Sequence, residues 1–127
     1  MSSKMLMVFC DETDLWKGGE RLYAAIVRKL HKNGIAGATV LNGMMGYGVH
    51  KRIHKKGLFG VSDESPILIL AIDTEVKLRA VLPLIVPMVK EGLINLVDTD
   101  VISTGTNAAP QIVEKAETDL SQGESNA

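Results

Sequence analysis

The 127-residue chain is close to electrical balance, with a formal net charge of −1 and a pI near 6.3. This balance argues against a general nucleic-acid-binding protein, whose domain is usually basic, and 46% hydrophobic residues exclude a globally disordered chain. The single cysteine, Cys10, excludes an internal disulfide and fits a reducing compartment. No apolar run reaches the roughly 18 residues of a membrane span, and no signal-peptide pattern opens the chain, so we expect a cytoplasmic protein without membrane insertion.

Four short apolar stretches are predicted to form β-strands, over residues 4–10, 38–41, 65–72 and 93–97, with 98–102 extending the last. Apolar residues at three-to-four-residue spacing predict a helix over residues 20–32, which Asn33 and Gly34 end. A second helix is predicted to begin after a cap at Asp73 or Thr74 and to run towards Lys90. Pro83 and Pro87 should kink or split it, because a proline removes a backbone hydrogen bond.

An acidic segment, residues 11–14, follows the first strand. We interpret it as a solvated turn in which Thr13 or Asp14 caps the following helix. The alternative is a metal site or a charge partner for the basic loop described below, although three carboxylates in four residues lack the spacing of a calcium loop. Trp16, the only tryptophan, is interpreted as a lid on the first helix rather than as a ligand-stacking residue.

The most distinctive part of the sequence is a glycine-punctuated, basic loop over residues 43–65. Gly43, Gly46 and Gly48 follow the second predicted strand, and glycine disfavours regular structure. Residues 50–56 then combine two histidines with four basic side chains: His50, Lys51, Arg52, His54, Lys55 and Lys56. Arginine forks and lysine charges suit phosphate oxygens, so an anion-binding loop is one interpretation. A merely solvated, charged loop is the other.

His50 and His54 are four residues apart, a spacing compatible with a shared metal on a helix. The four positive charges around them oppose a cation, and no carboxylate lies within residues 50–56. We therefore expect no metal. We also expect no catalytic residue, because Cys10 falls in a strand predicted to be buried, where thiols are inert, and no nucleophile is paired with a base.

The order strand–helix–strand occurs twice, over residues 4–41 and 65–97. Two such units predict an α+β, ferredoxin-like βαββαβ fold, in which a four-stranded antiparallel sheet carries both helices on one face. We assign residues 1–102 to this domain and residues 103–127 to a polar C-terminal tail. Because the first and third strands are apolar on both faces, the face without helices requires a cover, and a homotrimer would supply it.

The segment NGIAGATV, residues 33–40, followed by Gly43, Gly46 and Gly48, resembles the PII signalling proteins. From about residue 5 to residue 102 the chain is more similar to an uncharacterised PII-like family, a domain of unknown function. The shared motifs are DETDLWKG, the loop GYG-x-H-K-R-x-H, and Asp-Thr-Glu at the start of the second helix. The resemblance implies a ferredoxin-like homotrimer that binds an adenine nucleotide (AMP, ADP or ATP) in clefts between subunits. It also implies a loop that changes shape to engage a partner protein, such as a transporter or an enzyme.

By position, the resemblance implies that Gly37, Ala38 and Thr39 cradle the nucleotide and that Gly92 matches part of the turn after the second helix. The predicted set of nucleotide-binding residues also includes the loop residues Gly46, Gly48, Lys51 and Arg52. PII proteins have Gly-Asp-Gly-Lys in the turn after the second helix, where this chain has Glu91-Gly92-Leu93-Ile94, so the phosphate-binding lysine is missing. Either Lys51, Arg52, Lys55 and Lys56 substitute for it, or the ligand carries fewer phosphates.

Three functions are consistent with these features. The first is a PII-like regulatory protein that senses a nucleotide and signals through the loop 43–65. The second is a small phosphate-ester or acyl-phosphate hydrolase on the same fold, using the basic loop. The third is a metal-responsive protein acting through His50 and His54. The missing nucleophile and base favour the binding protein over the enzyme.

Overall fold

The computed structural model describes residues 2–48, 54–55 and 65–102. The predicted tail and most of the basic loop, including Lys51 and Arg52, lie outside the described residues. The strands are β1 (Ser3–Asp11), β2 (Ala38–Asn42), β3 (Met45–Gly46), β4 (His54–Lys55), β5 (Pro66–Thr74) and β6 (Leu93–Thr99). The α-helices are α1 (Leu22–Lys32) and α2 (Glu75–Ile85), and two short 3-10 turns cover Lys17–Gly19 and Val86–Met88. Within the described ranges, no helix is long and apolar enough to cross a membrane.

Four of these strands form one antiparallel sheet in the order β2-β5-β1-β6. The two central strands, β1 and β5, pair along their whole length, from Ser3 opposite Thr74 to Asp11 opposite Pro66. A separate two-stranded ribbon, β3 with β4, lies within the loop 43–65. The predicted ferredoxin-like βαββαβ fold with a four-stranded antiparallel sheet and two helices is confirmed.

One face of the sheet is covered by the two helices. Alternate residues of β1 and β5 point to this face, because successive side chains of a strand point to opposite sides. They pack against the buried positions of α1 and α2 in one aliphatic core. The fully or almost fully buried core residues include Leu6, Val8, Ile26, Leu30, Ile69, Leu78 and Ile85.

The opposite face is also apolar, as the sequence predicts, and no element of the described chain covers it. The strand register places Met7 beside Leu70, and the outer strands add Leu41 and Leu93 to the same face. Leu93 is 55% exposed and Leu41 45% exposed. We call this surface the open sheet face.

The start of the first helix differs from the prediction. Helix α1 begins at Leu22 rather than at residue 20, and Arg21 at its N-cap makes no side-chain capping bond. Thr13 and Asp14 do not cap it, because they close a turn with Asp11 instead. The Asp11 carboxylate accepts from the Thr13 backbone N–H at 3.0 Å, and the Asp14 carboxylate accepts from the Asp11 N–H at 3.0 Å. Short acidic side chains make such local bonds readily, and these bonds keep residues 11–14 out of the helix.

The second helix follows the prediction more closely. The Thr74 hydroxyl caps α2 by accepting from the Lys77 backbone N–H at 3.3 Å. Pro83 is tolerated inside the last turns of the helix, whereas the α-helix gives way to a 3-10 turn at Val86, with Pro87 as the next residue. The predicted split therefore occurs at the second proline.

A buried carboxylate fixes the end of the sheet where β2 begins. Asp73, at the end of β5, is 1% exposed and accepts from the Ala36 N–H at 2.9 Å and from the Thr74 N–H at 2.7 Å. Lys77 lies 3.1 Å from the same carboxylate and also donates to the Gly34 carbonyl. These contacts neutralise the charge of Asp73 and hold the turn between α1 and β2 in place.

Candidate functional site

The two ends of the loop 43–65 are tied together and to the acidic turn. The Ser65 side chain is fully buried, and its Oγ lies 2.7 Å from Glu12 Oε1 and 2.8 Å from Asn42 Oδ1. A hydroxyl has a single proton, so at any moment it donates to only one of these two oxygens. The Glu12 N–H also donates to the Ser65 carbonyl at 2.9 Å, and the Gly43 N–H donates to the Pro66 carbonyl at 2.7 Å. The base of the loop is therefore a hydrogen-bonded junction of three chain segments.

Gly43 is required at this junction for steric reasons. A Cβ atom at this position would lie 2.7 Å from Cγ of Pro66, which is closer than real carbon contacts allow. Gly48 differs, because a Cβ there would meet nothing within 4 Å. Of the loop glycines, Gly43 is thus needed for close packing, whereas Gly48 lies in open space.

A cleft of about 330 Å³ opens beside this junction, and we call it the loop-base cleft. Its volume falls at the lower end of the range for small-molecule sites. It is formed by the end of β1 with the acidic turn, by loop residues 45–48 together with the start of β5, and by the turn into β6. The lining residues are Phe9, Cys10, Asp11, Asp14, Met45, Gly46, Tyr47, Gly48, Pro66, Ile67, Glu91 and Gly92.

The charged groups that line this cleft are acidic. Asp11, Asp14 and Glu91 contribute carboxylates, and the lining residues within the described chain include no lysine or arginine. Burial raises the pKa of Asp14, and the neighbouring carboxylates of Asp11 and Glu91 raise it further, while the Asp11 backbone N–H lowers it. Burial, with Asp14 and Asp11, also raises the pKa of the Cys10 thiol to about 12. The thiol is therefore protonated at neutral pH and is a poor nucleophile.

Three of the eight predicted nucleotide-binding residues meet in this cleft. Gly46 and Gly48 come from the loop, and Gly92 comes from the turn before β6. Gly92 packs so closely that a Cβ would overlap the carbonyl oxygen of Phe9. The close approach of the two backbones explains why a glycine is needed here.

The other predicted residues are elsewhere. Gly37, Ala38 and Thr39 are exposed at the start of β2, where Ala38 pairs with Ala71. The loop-base cleft lies beside Ile67, four residues along β5, which is about 13 Å away. Within a single chain, residues 37–39 therefore do not reach the loop-base cleft. Lys51 and Arg52 lie outside the described residues, and all eight assignments stay predictions.

The weaker metal candidates receive no geometric support. His50 lies outside the described residues, and His54 belongs to β4 opposite Gly46. In the part of the chain that the structure describes, no three His, Cys, Asp or Glu side chains are grouped so as to hold a metal ion.

Several cleft and junction residues were missed by sequence reasoning. Asp14 was assigned to a turn, and Tyr47 and Ser65 were given no role. Glu91 joins the cleft only because β6 pairs with β1, which sets Leu93 opposite Phe9. The sequence feature that could have identified Ser65 is its position directly before Pro66, at the start of an apolar strand.

Comparison with known protein families shows to which family the chain belongs. The model of the DUF190 family, described as an uncharacterised ACR, matches residues 3–101. The chain belongs to the DUF190 family. A UPF0166 protein of Methanocaldococcus jannaschii is 34% identical over 102 residues, which cover 80% of this chain and 93% of that protein. A UPF0166 protein of Aquifex aeolicus is 32% identical over 102 residues, covering 80% and 95%.

Solved structures of the same fold link this DUF190 protein to PII-like proteins. CPII, a nitrogen regulatory PII-like protein from Thiomonas intermedia, was solved bound to ADP, AMP and bicarbonate, and matches with a TM-score of 0.62. It is 19% identical, over 80% of this chain and 89% of that chain. The divalent ion tolerance protein CutA1 from Ehrlichia chaffeensis matches with a TM-score of 0.55 and 15% identity, over 81% and 86%. At these identities the likeness shows that the chain shares its fold with these proteins.

Proposed function

We propose that this protein is a PII-like regulatory protein that binds an adenine nucleotide at the loop-base cleft and regulates a protein partner through the loop 43–65. The observation that carries the proposal is the convergence of Gly46, Gly48 and Gly92 on one cleft at the base of that loop. CPII, which shares the fold, binds ADP and AMP, and this makes an adenine nucleotide the first ligand to test.

The hydrogen-bonded junction gives this site a route to the loop. The Glu12–Ser65–Asn42 contacts lie next to Asp11 and Pro66, which line the cleft. A ligand that moves the acidic turn therefore also moves the residues from which the loop departs. In the proposed function, this coupling carries the state of the ligand site to residues 43–65.

The acidic lining should limit the number of phosphate groups on the nucleotide that binds. Asp11, Asp14 and Glu91 repel a polyphosphate, and the repulsion grows with each added charge. Basic residues from the loop, Lys51 and Arg52 first, or from a second copy of the chain must offset it. Without a divalent cation, we expect AMP and ADP to bind more tightly than ATP.

Isothermal titration calorimetry with AMP, ADP and ATP tests the proposal. Saturable heat with at least one of them is expected, and Lys51→Ala with Arg52→Ala should weaken ADP binding roughly tenfold through the loss of two phosphate partners. Asp14→Asn should strengthen ADP binding about two- to fivefold, because it removes one carboxylate charge from the lining. Lys32→Ala, an exposed change at the end of α1, is the matched control and should have no effect. Absence of heat with all three nucleotides at millimolar concentration would reject the proposal.

We further propose that the open sheet face joins three copies into a homotrimer. An apolar face of this extent is unusual on a monomer, and each Å² removed from water contributes ~25 cal/mol. A second copy also offers the means to bring residues 37–39 of one chain to the loop-base cleft of another.

Light scattering after gel filtration tests the assembly. We expect a mass of about 41 kDa for three chains of 13.7 kDa. Leu41→Ser with Leu93→Ser should lower that mass, because about half of each side chain is exposed in one chain and would add apolar area to an interface. Val76→Ser is the control: Val76 is 72% exposed on α2, away from the sheet. A wild-type mass of 13.7 kDa would contradict the trimer.

A further inference from the structure

A second cleft lies on the other side of the acidic turn and has a volume of about 590 Å³. It lies between the segment that follows β1 and the 3-10 turn Val86–Met88 that follows α2. We call it the tryptophan cleft, because Trp16 lines it together with Leu15, Leu22 and Met88. Asp14 and Glu91 line both clefts and so form the wall between them. This cavity is separate from the proposed nucleotide site.

The aromatic wall of this cleft is carried by a hydrogen-bonded turn. The backbone N–H of Trp16 donates to the Glu20 carbonyl at 2.7 Å, and the Gly19 N–H donates to the Trp16 carbonyl at 3.0 Å. Gly18 and Gly19 have φ values of 76° and 83°, in the left-handed region that favours glycine. The Trp16 side chain is partly buried and packs against the core, and its remaining surface lines the cleft.

The charged residues that line the tryptophan cleft are two lysines and two carboxylates. Lys17 and Lys90 are exposed, and Lys17 lies 5.4 Å from the centre of the Trp16 ring. Neither lysine has an ion-pair partner among the residues that the structure describes. Asp14 and Glu91 occupy the wall shared with the loop-base cleft, so an anionic group is repelled from that wall and attracted to the lysines.

We infer that the tryptophan cleft is a second ligand site, for an organic anion that carries a flat or branched apolar body. The body packs on the indole of Trp16 and the side chains of Leu15 and Met88, and the anionic group pairs with Lys17 and Lys90. Apolar lining with a few convergent charged groups is the usual composition of a small-molecule site. An aromatic sulfonate, carboxylate or phosphate meets these requirements.

Methyl NMR of methionine separates this site from the other surfaces that could bind such a molecule. Met88 lines the tryptophan cleft, Met45 lines the loop-base cleft, and Met7 lies on the open sheet face. The full-length protein with ¹³C-methyl methionine is titrated with anilinonaphthalene sulfonate, an aromatic anion. We expect saturable shifts of the Met88 methyl group and of the single indole N–H signal of Trp16.

Charge variants then test the recognition. Lys17→Gln with Lys90→Gln should weaken the Met88 response about fivefold or more, because both cationic partners are lost. Lys29→Gln with Lys32→Gln removes the same charge from α1 and should leave the response unchanged. Shifts confined to Met7 or Met45, or an equal affinity in the two double variants, would overturn the inference. Nucleotide binding at the loop-base cleft is measured separately, by the response of the Met45 methyl group to ADP.

Discussion

The two ends of the central sheet use the same chemical group in opposite ways. Where β2 begins, the buried carboxylate of Asp73 is neutralised by Lys77 and by two backbone N–H groups. Where the loop 43–65 departs, the carboxylates of Asp11, Asp14 and Glu91 line a cleft whose described lining includes no basic side chain. The first arrangement stabilises the fold and the second lies at an opening where a ligand can enter.

The two ends differ in how their carboxylates are surrounded. The Asp73 carboxylate is paired inside the protein and contributes to the stability of the fold, whereas burial and neighbouring carboxylates raise the pKa of Asp14 in the cleft. The negative charge of such a lining is reduced by protonation, by a cation or by basic groups from elsewhere. In the proposed function, these basic groups come from loop residues 50–56 or from a second copy of the chain.

The largest expected effect is on the stability of the protein, at the end of the sheet where Asp73 is paired with Lys77. Asp73→Ala should lower the free energy of unfolding by about 3 kcal/mol, because Lys77 and two N–H donors lose a buried partner. Urea denaturation measures it. Asp98→Ala, which breaks the surface pair with Lys4, is the control and should show no measurable loss. Equal stability of the Asp73→Ala variant and the wild type would mean that Asp73 does not anchor this end.

A smaller effect is expected at the loop base. Gly43→Ala should cost about 2 kcal/mol, since its methyl group would collide with the Pro66 ring. Gly48→Ala introduces the same methyl group into open space and should change stability by less than about 0.5 kcal/mol. The two variants are compared by thermal denaturation and by hydrogen exchange of the Glu12 amide, which donates to the Ser65 carbonyl. If both behave alike, the junction is not closely packed.

The smallest effect concerns the pH dependence of Asp14. Its folded-state pKa is raised above the ordinary 3.8, so the folded protein binds this proton more tightly than the unfolded chain does. The associated stability is fully present below about pH 3.8 and is lost as the pH rises through the raised pKa. Asp14→Asn should therefore be slightly more stable than wild type at pH 7, by less than about 1 kcal/mol after allowance for solvent screening.

The comparison across pH is the decisive part of this experiment. The advantage of Asp14→Asn should shrink between pH 7 and pH 4, as the wild-type carboxyl takes up its proton. Asp100→Asn, an exposed change just after β6, should show no such dependence. A stability difference for Asp14→Asn that grows towards low pH would contradict the assigned direction of the pKa shift.

Most of the fold could be predicted because its signals are local. Each sheet strand is an apolar run bounded by turn residues, and Thr74 is a strong N-cap. The start of α1 could not be predicted to the residue. Asp11, Thr13 and Asp14 bond to one another, and the helix begins after Arg21 without a capping side chain.

The candidate site was predicted less completely, because it depends on pairings between distant segments. The loop glycines Gly46 and Gly48 were identified, and so was Gly92. The acidic walls were not, since Asp14 and Glu91 come together only through the antiparallel pairing of β1 with β6. A single sequence indicates that both segments are strands, but the register that brings their ends together is a property of the folded sheet.

The central claim is that an adenine nucleotide binds where the loop meets the sheet, and a titration of ¹³C-methyl-methionine protein with ADP tests it most directly. We predict a saturable shift of the Met45 methyl group, which lines the loop-base cleft, and a smaller response of Met88 in the tryptophan cleft. Met45 and Met88 are assigned by replacing each with leucine. A Met45 signal that stays unchanged up to millimolar ADP would contradict the account.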